Sequence, residues 1–285
     1  MKPQPASRFV RLLAPRSLGL CLLIFAAALP AVAQNRSVFG ETTRSEAALV
    51  GVLYDFKQTQ DHAETPVTPQ TYSRIIEEFL LKNWDERVLN RYYRVSRPLY
   101  TTQIFIPTID ADAAPRAFGV EKLVRPSLWL AHYKAQVSAP SGGVWRFVGA
   151  SDDMLAVAVN RKTVLVANRY DTVLRNIRWR ASEPDGPQAA NNPLRHGDWI
   201  SLKPGEIIDL DVIIGERPGG TFNAFLYIEK KGLTYAHDPE GHPILPIFQV
   251  APYNTPVGDT SNTPDSAAFI TPPFANGHPT WKSYQ

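Results

Sequence analysis

Two adjacent carboxylates, Asp152-Asp153, stand between the apolar runs Val144–Val148 and Met154–Val159. Their hard oxygens suit calcium, which takes six to eight oxygen ligands at about 2.3 to 2.6 Å, so the pair alone cannot fill a shell. Asn191, Asn192, Asp171 or backbone carbonyls of the segment 171–198 are the candidates to complete it. The alternative is a turn whose carboxylates accept backbone N–H bonds. Three aromatic residues flank the same segment: Tyr170, Trp179 and Trp199. An indole face matches the apolar face of a pyranose, and Trp179, set among Arg175, Arg178 and Arg180, is the aromatic expected to contact a ligand. Trp199, at the start of a strand, is expected in the core.

Other chemistry-bearing residues read more plainly. His237-Asp238-Pro239-Glu240-Gly241-His242 offers two imidazoles and two carboxylates, but its Pro and Gly mark a polar turn before a zinc site. Asp110 with Asp112, and Asp209 with Asp211, are spaced by two, which on a strand puts each pair on one solvated face. No nucleophile elbow, His-Glu-x-x-His helix, glycine-rich phosphate loop or cysteine cluster occurs in the sequence, and the expectation is a binding protein and not an enzyme.

The elements that must carry these residues follow from periodicity. Lys2, Arg8, Arg11 and Arg16, then the apolar run Leu18–Leu29, then Ala31-Val32-Ala33 make residues 1–33 a cleavable signal peptide, its apolar run too short to span a bilayer. Export to the periplasm or the extracellular space is expected, with no transmembrane segment after cleavage. The single cysteine, Cys21, lies within the leader. Removing it leaves 26 basic residues against 27 acidic, so no field for nucleic acid remains. Residues 34–48 read as a flexible leader, 49–250 as one β-rich domain, and 251–285, with six prolines and three charges, as an extended Pro-rich tail.

Within the domain, Thr68-Pro69 caps a helix over about 69–82 with Tyr72, Ile75, Ile76, Phe79 and Leu80 on one face. The stretch from Asp85 to Asn90 stays open between helix and irregular chain. From Leu99 onward the periods are those of strands. Trp129, Ala131, Tyr133, Ala135 and Val137 share a core face, with His132, Lys134 and Gln136 on the wet one. Met154–Val159 is apolar on both faces, as a central strand would be. Ile208–Ile214 and Phe222–Ile228, joined through Pro218-Gly219-Gly220, read as a hairpin.

The stretch Gly143–Lys162, with its strand, Ser151-Asp152-Asp153 turn, apolar strand and basic turn, resembles the core of the domain named after anthrax protective antigen. Leu202-Lys203-Pro204-Gly205-Glu206 and the two strands after it resemble that family's closing segment, so the likeness spans about 127–230; the fibro-slime and flocculin groups are similar in the same places. The resemblance implies a mainly β protein, an antiparallel β-sandwich of jelly-roll character, here with one N-terminal helix. It further implies a carbohydrate-binding module of the adhesin kind in which Asp152 and Asp153 hold calcium that grips vicinal hydroxyls. Asn160-Arg161 stands where the family has Asp-Gly, and Met154 where it has a small residue. The expectation is therefore a secreted, non-catalytic binding protein whose partner is a glycan or cell-surface polysaccharide and whose ion is calcium, with Trp179, Asn191 and Asn192 as ligand contacts. A structural or surface-assembly subunit of the envelope and a glycoside hydrolase or its accessory protein remain the alternatives.

Overall fold

The computed structural model describes residue 1 and residues 37–181, 183–252, 274–275 and 279–284. The expected signal peptide, and most of the expected tail, lie outside the described residues. In chain order the strands are β1 (Leu49–Asp55), β2 (Tyr93–Arg94), β3 (Leu99–Thr101), β4 (Phe105–Asp110), β5 (Trp129–Ser138) and β6 (Gly143–Asp152). There follow β7 (Met154–Val159), β8 (Lys162–Val166), β9 (Gln188–Ala189), β10 (Asn192–Pro193) and β11 (Arg195–His196). The last are β12 (Ile200–Leu202), β13 (Ile207–Glu216), β14 (Thr221–Lys230) and β15 (Lys282–Tyr284).

The protein is mainly β, an antiparallel sandwich of two principal sheets. One has the order β2-β1-β5-β13-β7-β8, with β3 on β1 and β15 on β5; the other runs β11-β6-β14-β4, with β12 on β6. Trp129, Tyr133, Val157, Val212 and Ile214 from the first meet Phe147, Phe222, Leu226 and Ile228 from the second in the main core.

The larger sheet is covered on its other face too. Helix α1 (Pro69–Leu81) lies over it and buries Tyr72, Ile75, Ile76, Phe79 and Leu80 against Val52, Leu130, Ala156 and Ile213. Each such side chain contributes about 2 kcal/mol when fully buried. Thr68 caps the helix by accepting from the Thr71 amide, while the Thr71 hydroxyl receives the Thr68 N–H at 2.7 Å. Asn83 and Trp84 then take left-handed conformations that end it. A 3₁₀ turn, Glu86–Val88, resolves the stretch left open above. A second short helix, α2 (Ala113–Ala117), has too few residues to show a period in the sequence.

The second layer explains β7, which is buried at every position because it has core on one side and α1 on the other. It also corrects the reading of β5: His132, expected to be wet, is 1% exposed beneath α1 and the 3₁₀ turn, while Lys134 and Gln136 keep the solvated character expected of them.

Three further expectations change. β13 and β14 are not a hairpin: β13 pairs with β5 and β7, and β14 with β6 and β4. Gly219 and Gly220, both at positive φ, turn the chain from one sheet into the other. Part of the expected flexible leader is docked, since Phe39 is fully buried between Trp129 and Phe222 and its carbonyl accepts from Tyr133 Oη at 2.9 Å. One aromatic side chain supplies enough apolar surface to fasten a polar stretch. The segment after Ala251 likewise returns, with Trp281 buried against Trp145, Phe147 and Phe248 and β15 paired to β5.

Candidate functional site

Asp152 ends β6 in the smaller sheet and Met154 begins β7 in the larger, so the chain crosses between layers at Asp153. The crossing from β13 to β14 lies beside it, with Asn223 opposite Asp152 and Gly215 opposite Met154. Gly215 is required for this approach: a Cβ there would come within 2.2 Å of the Tyr72 hydroxyl. Met154 turns into the helix-side core and is fully buried. The peptide bond between Asp152 and Asp153 is cis.

Loops close over this corner. Asn191 Nδ2 donates to Asp152 Oδ2 at 3.1 Å, Asn192 Nδ2 lies 2.9 Å from Asn191 Oδ1 and 3.3 Å from the Ser151 carbonyl, and Asn192 Oδ1 is buried with no hydrogen-bond partner among the described residues. Four of the expected residues, Asp152, Asp153, Asn191 and Asn192, are thus brought together. Trp179 is not among them. It is partly buried against both large core clusters, and it lines a cavity of about 180 Å³ with Arg169, Tyr170 and Thr172. The exposed aromatic at this place is Tyr170, 72% accessible.

The residues the sequence did not disclose here are Arg169, Arg217 and Glu216. Arg169 Nη1 donates to Asp152 Oδ1 at 2.9 Å and lies 3.9 Å from Asp153 Oδ1. The Arg217 amide donates to Asp153 Oδ2 at 2.8 Å, and its Nη2 pairs with Asp171 Oδ2 at 3.0 Å. Burial pushes the Asp153 carboxyl up from its ordinary range. Burial, and then the Asp153 charge, push Glu216 up to about 9, so it enters the corner protonated, Oε1 accepting from the Gly219 amide.

Calcium would compete with protein donors for every carboxylate oxygen of the pair, which face Arg169, Asn191, the Arg217 amide and, at 3.4 Å, Thr172 Oγ1. Among the described residues no group of three His, Cys, Asp or Glu side chains is arranged to hold a metal. The arrangement does not fit the ion: the Arg169 guanidinium already faces both carboxylates, and a dication beside it would be repelled.

A second polar region lies on the helix-covered face. His132 Nε2 is 2.8 Å from Asp211 Oδ1 and its Nδ1 3.1 Å from Glu86 Oε1, while Lys134 Nζ reaches the same Glu86 oxygen at 2.7 Å. Burial opposes the imidazolium, yet hydrogen bonds to Asp211 and Glu86 outweigh it and raise the His132 pKa. The contact with His132 holds Glu86 down at about 2. Asp211, expected on a solvated face with Asp209, is therefore covered, and a cleft of about 840 Å³ opens over the group. His242 Nδ1 and amide meet Asp238 in the polar turn anticipated for 237–242. Trp199 is half-buried, its ring 4.1 Å from the Arg146 guanidinium.

The fold and this corner define an antiparallel β-sandwich with a loop-covered polar site where two strand crossings meet. No family model matches the chain, and no curated protein does. Among solved structures it is similar to a PA14 sugar-binding domain from an RTX adhesin, 15% identical over 66% of this chain and 93% of that one, with a TM-score of 0.40. The PA14 domain of the antifreeze protein MpAFP is 13% identical over 70% and 87%, with a TM-score of 0.39. The A domain of epithelial adhesin 6 from Candida glabrata, in complex with Galb1-3GlcNAc, is 11% identical over 74% and 95%, with a TM-score of 0.40.

Proposed function

We propose that this chain is an exported, non-catalytic protein that binds carbohydrate at the Asp152–Asp153 corner. The observation that carries the reading is the convergence of Asp152, Asp153, Asn191 and Asn192 on one corner from separate parts of the chain. Sugar hydroxyls both donate and accept, and the accessible groups at the rim of the corner are the Asn191 amide and the Arg169 guanidinium, both held in place by Asp152. Tyr170, beside Arg169, adds an exposed ring on which a pyranose face can stack. Few, well-placed polar groups next to an aromatic surface are what fix a polyhydroxylated ligand in orientation.

A glycan array probed with the wild type and with an Asp152→Asn, Asp153→Asn double variant tests this. Binding by the wild type to a defined glycan set, lost in the variant with the fold intact, is the expected outcome; equal binding by both would move the site elsewhere. Export rests on the leader at 1–33 and is checked by mass analysis of the secreted chain, which should begin at or near Gln34.

A further inference from the structure

We infer that Arg169 is the built-in counter-ion of the aspartate pair, and that this corner works without calcium. The inference deepens the carbohydrate reading but is tested without any sugar.

The geometry is a run of alternating charges closed by one backbone amide. Asp152 pairs with Arg169, whose Nε is 3.4 Å from Asp171 Oδ1. Asp171 Oδ2 pairs with Arg217, and the Arg217 amide returns to Asp153. Three carboxylates and two arginines from three segments of chain thus close on one another. Asp152 and Asp153 are 3% and 0% exposed, and carboxylates so placed need a partner, because burying an unpaired charge is prohibitive. Calcium is one way to supply it and arginine is another. A guanidinium keeps its charge at every pH the protein meets and spreads its donors in a plane matched to carboxylates.

Arg169 is also difficult to displace. Its amide donates to the Asp153 carbonyl at 2.8 Å, and its own carbonyl receives the Thr172 amide at 3.0 Å. The preceding Asn168 accepts from the Leu155 amide. Further along, the Asn176 amide and side chain both donate to buried Glu77 of α1, at 3.1 and 2.7 Å. The arginine is therefore tethered at a high effective concentration, against which a free ion competes from bulk solution. The corner then offers a sugar hydroxyl a guanidinium N–H in place of a Lewis-acidic metal.

Calorimetric titration of calcium into the full chain, with thermal melts in calcium and in chelator, decides the matter. No saturable heat at millimolar calcium and coincident melting midpoints are expected. Arg169→Gln bares the carboxylates, so in that variant calcium should raise the midpoint by about two degrees or more. A wild type that melts higher in calcium, or that releases saturable heat, overturns the inference, and this measurement needs no variant to fold. So does an Arg169→Gln protein that folds and remains indifferent to calcium, because Arg169 would then not be what fills the seat. If the glycan array is blank while the wild type ignores calcium, the carbohydrate reading falls and the counter-ion stands. Glycan binding abolished by chelator has the reverse meaning.

Discussion

Arg169 and His132 each bridge carboxylates contributed by different elements, yet one charge is permanent and the other conditional. Arg169 joins Asp152 of β6 to Asp171 of the following loop; His132 of β5 joins Asp211 of β13 to Glu86 of the 3₁₀ turn. The first charge, that of Arg169, holds at any ordinary pH. The second depends on a proton, because a neutral imidazole can donate through only one nitrogen and must lose one of its two contacts. The counter-ion of the Asp152 corner is accordingly fixed, while the fastening of the 3₁₀ turn to the sheet responds to acidity.

The largest expected effect tests the conditional charge. His132→Ala should cost about 3 kcal/mol near pH 6, at the low end for breaking a buried charge pair because Glu86 retains Lys134. The sign follows from the raised pKa: the stabilisation is complete below the ordinary histidine value of 6.5 and is lost as pH rises through the higher folded value. Denaturant midpoints for wild type and variant should therefore converge at alkaline pH, and parallel curves would mean that His132 is neutral throughout.

Next, Glu77→Ala strips both acceptors from Asn176 and should cost about 2 kcal/mol, as hydrogen bonds to a buried charged group do. Hydrogen exchange should then quicken across residues 168–180 and not around His132; quickening at both would join the two regions into one cooperative unit. Arg169→Gln leaves Asp152 with Asn191 and Asp153 with the Arg217 amide, so it should cost only about 1.5 kcal/mol in chelator, an effect that stays constant through neutral pH, below the range in which Glu216 ionises. A pH-dependent loss there would erase the contrast with His132. Smallest is Thr68→Ala, about 1 kcal/mol for a lost helix N-cap, read from the same denaturant curves. Since α1 anchors the loop through Glu77 and leads into the turn bearing Glu86, this change should loosen both regions to a similar degree.

The contrast also marks how far the amino-acid sequence could be read. Residues 69–82 and most strands were legible because their periods of 3.6 and 2 are written in consecutive positions. Asp152, Asp153, Asn191 and Asn192 were legible as residue types, and they do converge. Arg169 was not, since which of many loop arginines reaches a given carboxylate depends on the path of the loop and leaves no mark in spacing. His132 looked solvated because alternation reports one covered face, and the larger sheet has two. The β13–β14 link deceived for a related reason: Pro218-Gly219-Gly220 reverses the chain equally well within one sheet or between two.

The return of Trp281 to the core sets the order in which the molecule can be completed. Its ring fills the space among Trp145, Phe147 and Phe248, and in the adjoining strand Tyr284 Oη meets Ser138 Oγ, 146 residues away along the chain. Contacts of such separation form late, because the loop entropy is spent before they reward it. A nascent chain that has not yet released residue 281 lacks a packed aromatic side chain worth about 3 to 5 kcal/mol, a large part of any domain's margin. For a chain exported as proposed above, the sandwich cannot lock until residue 281 has arrived to fill that space.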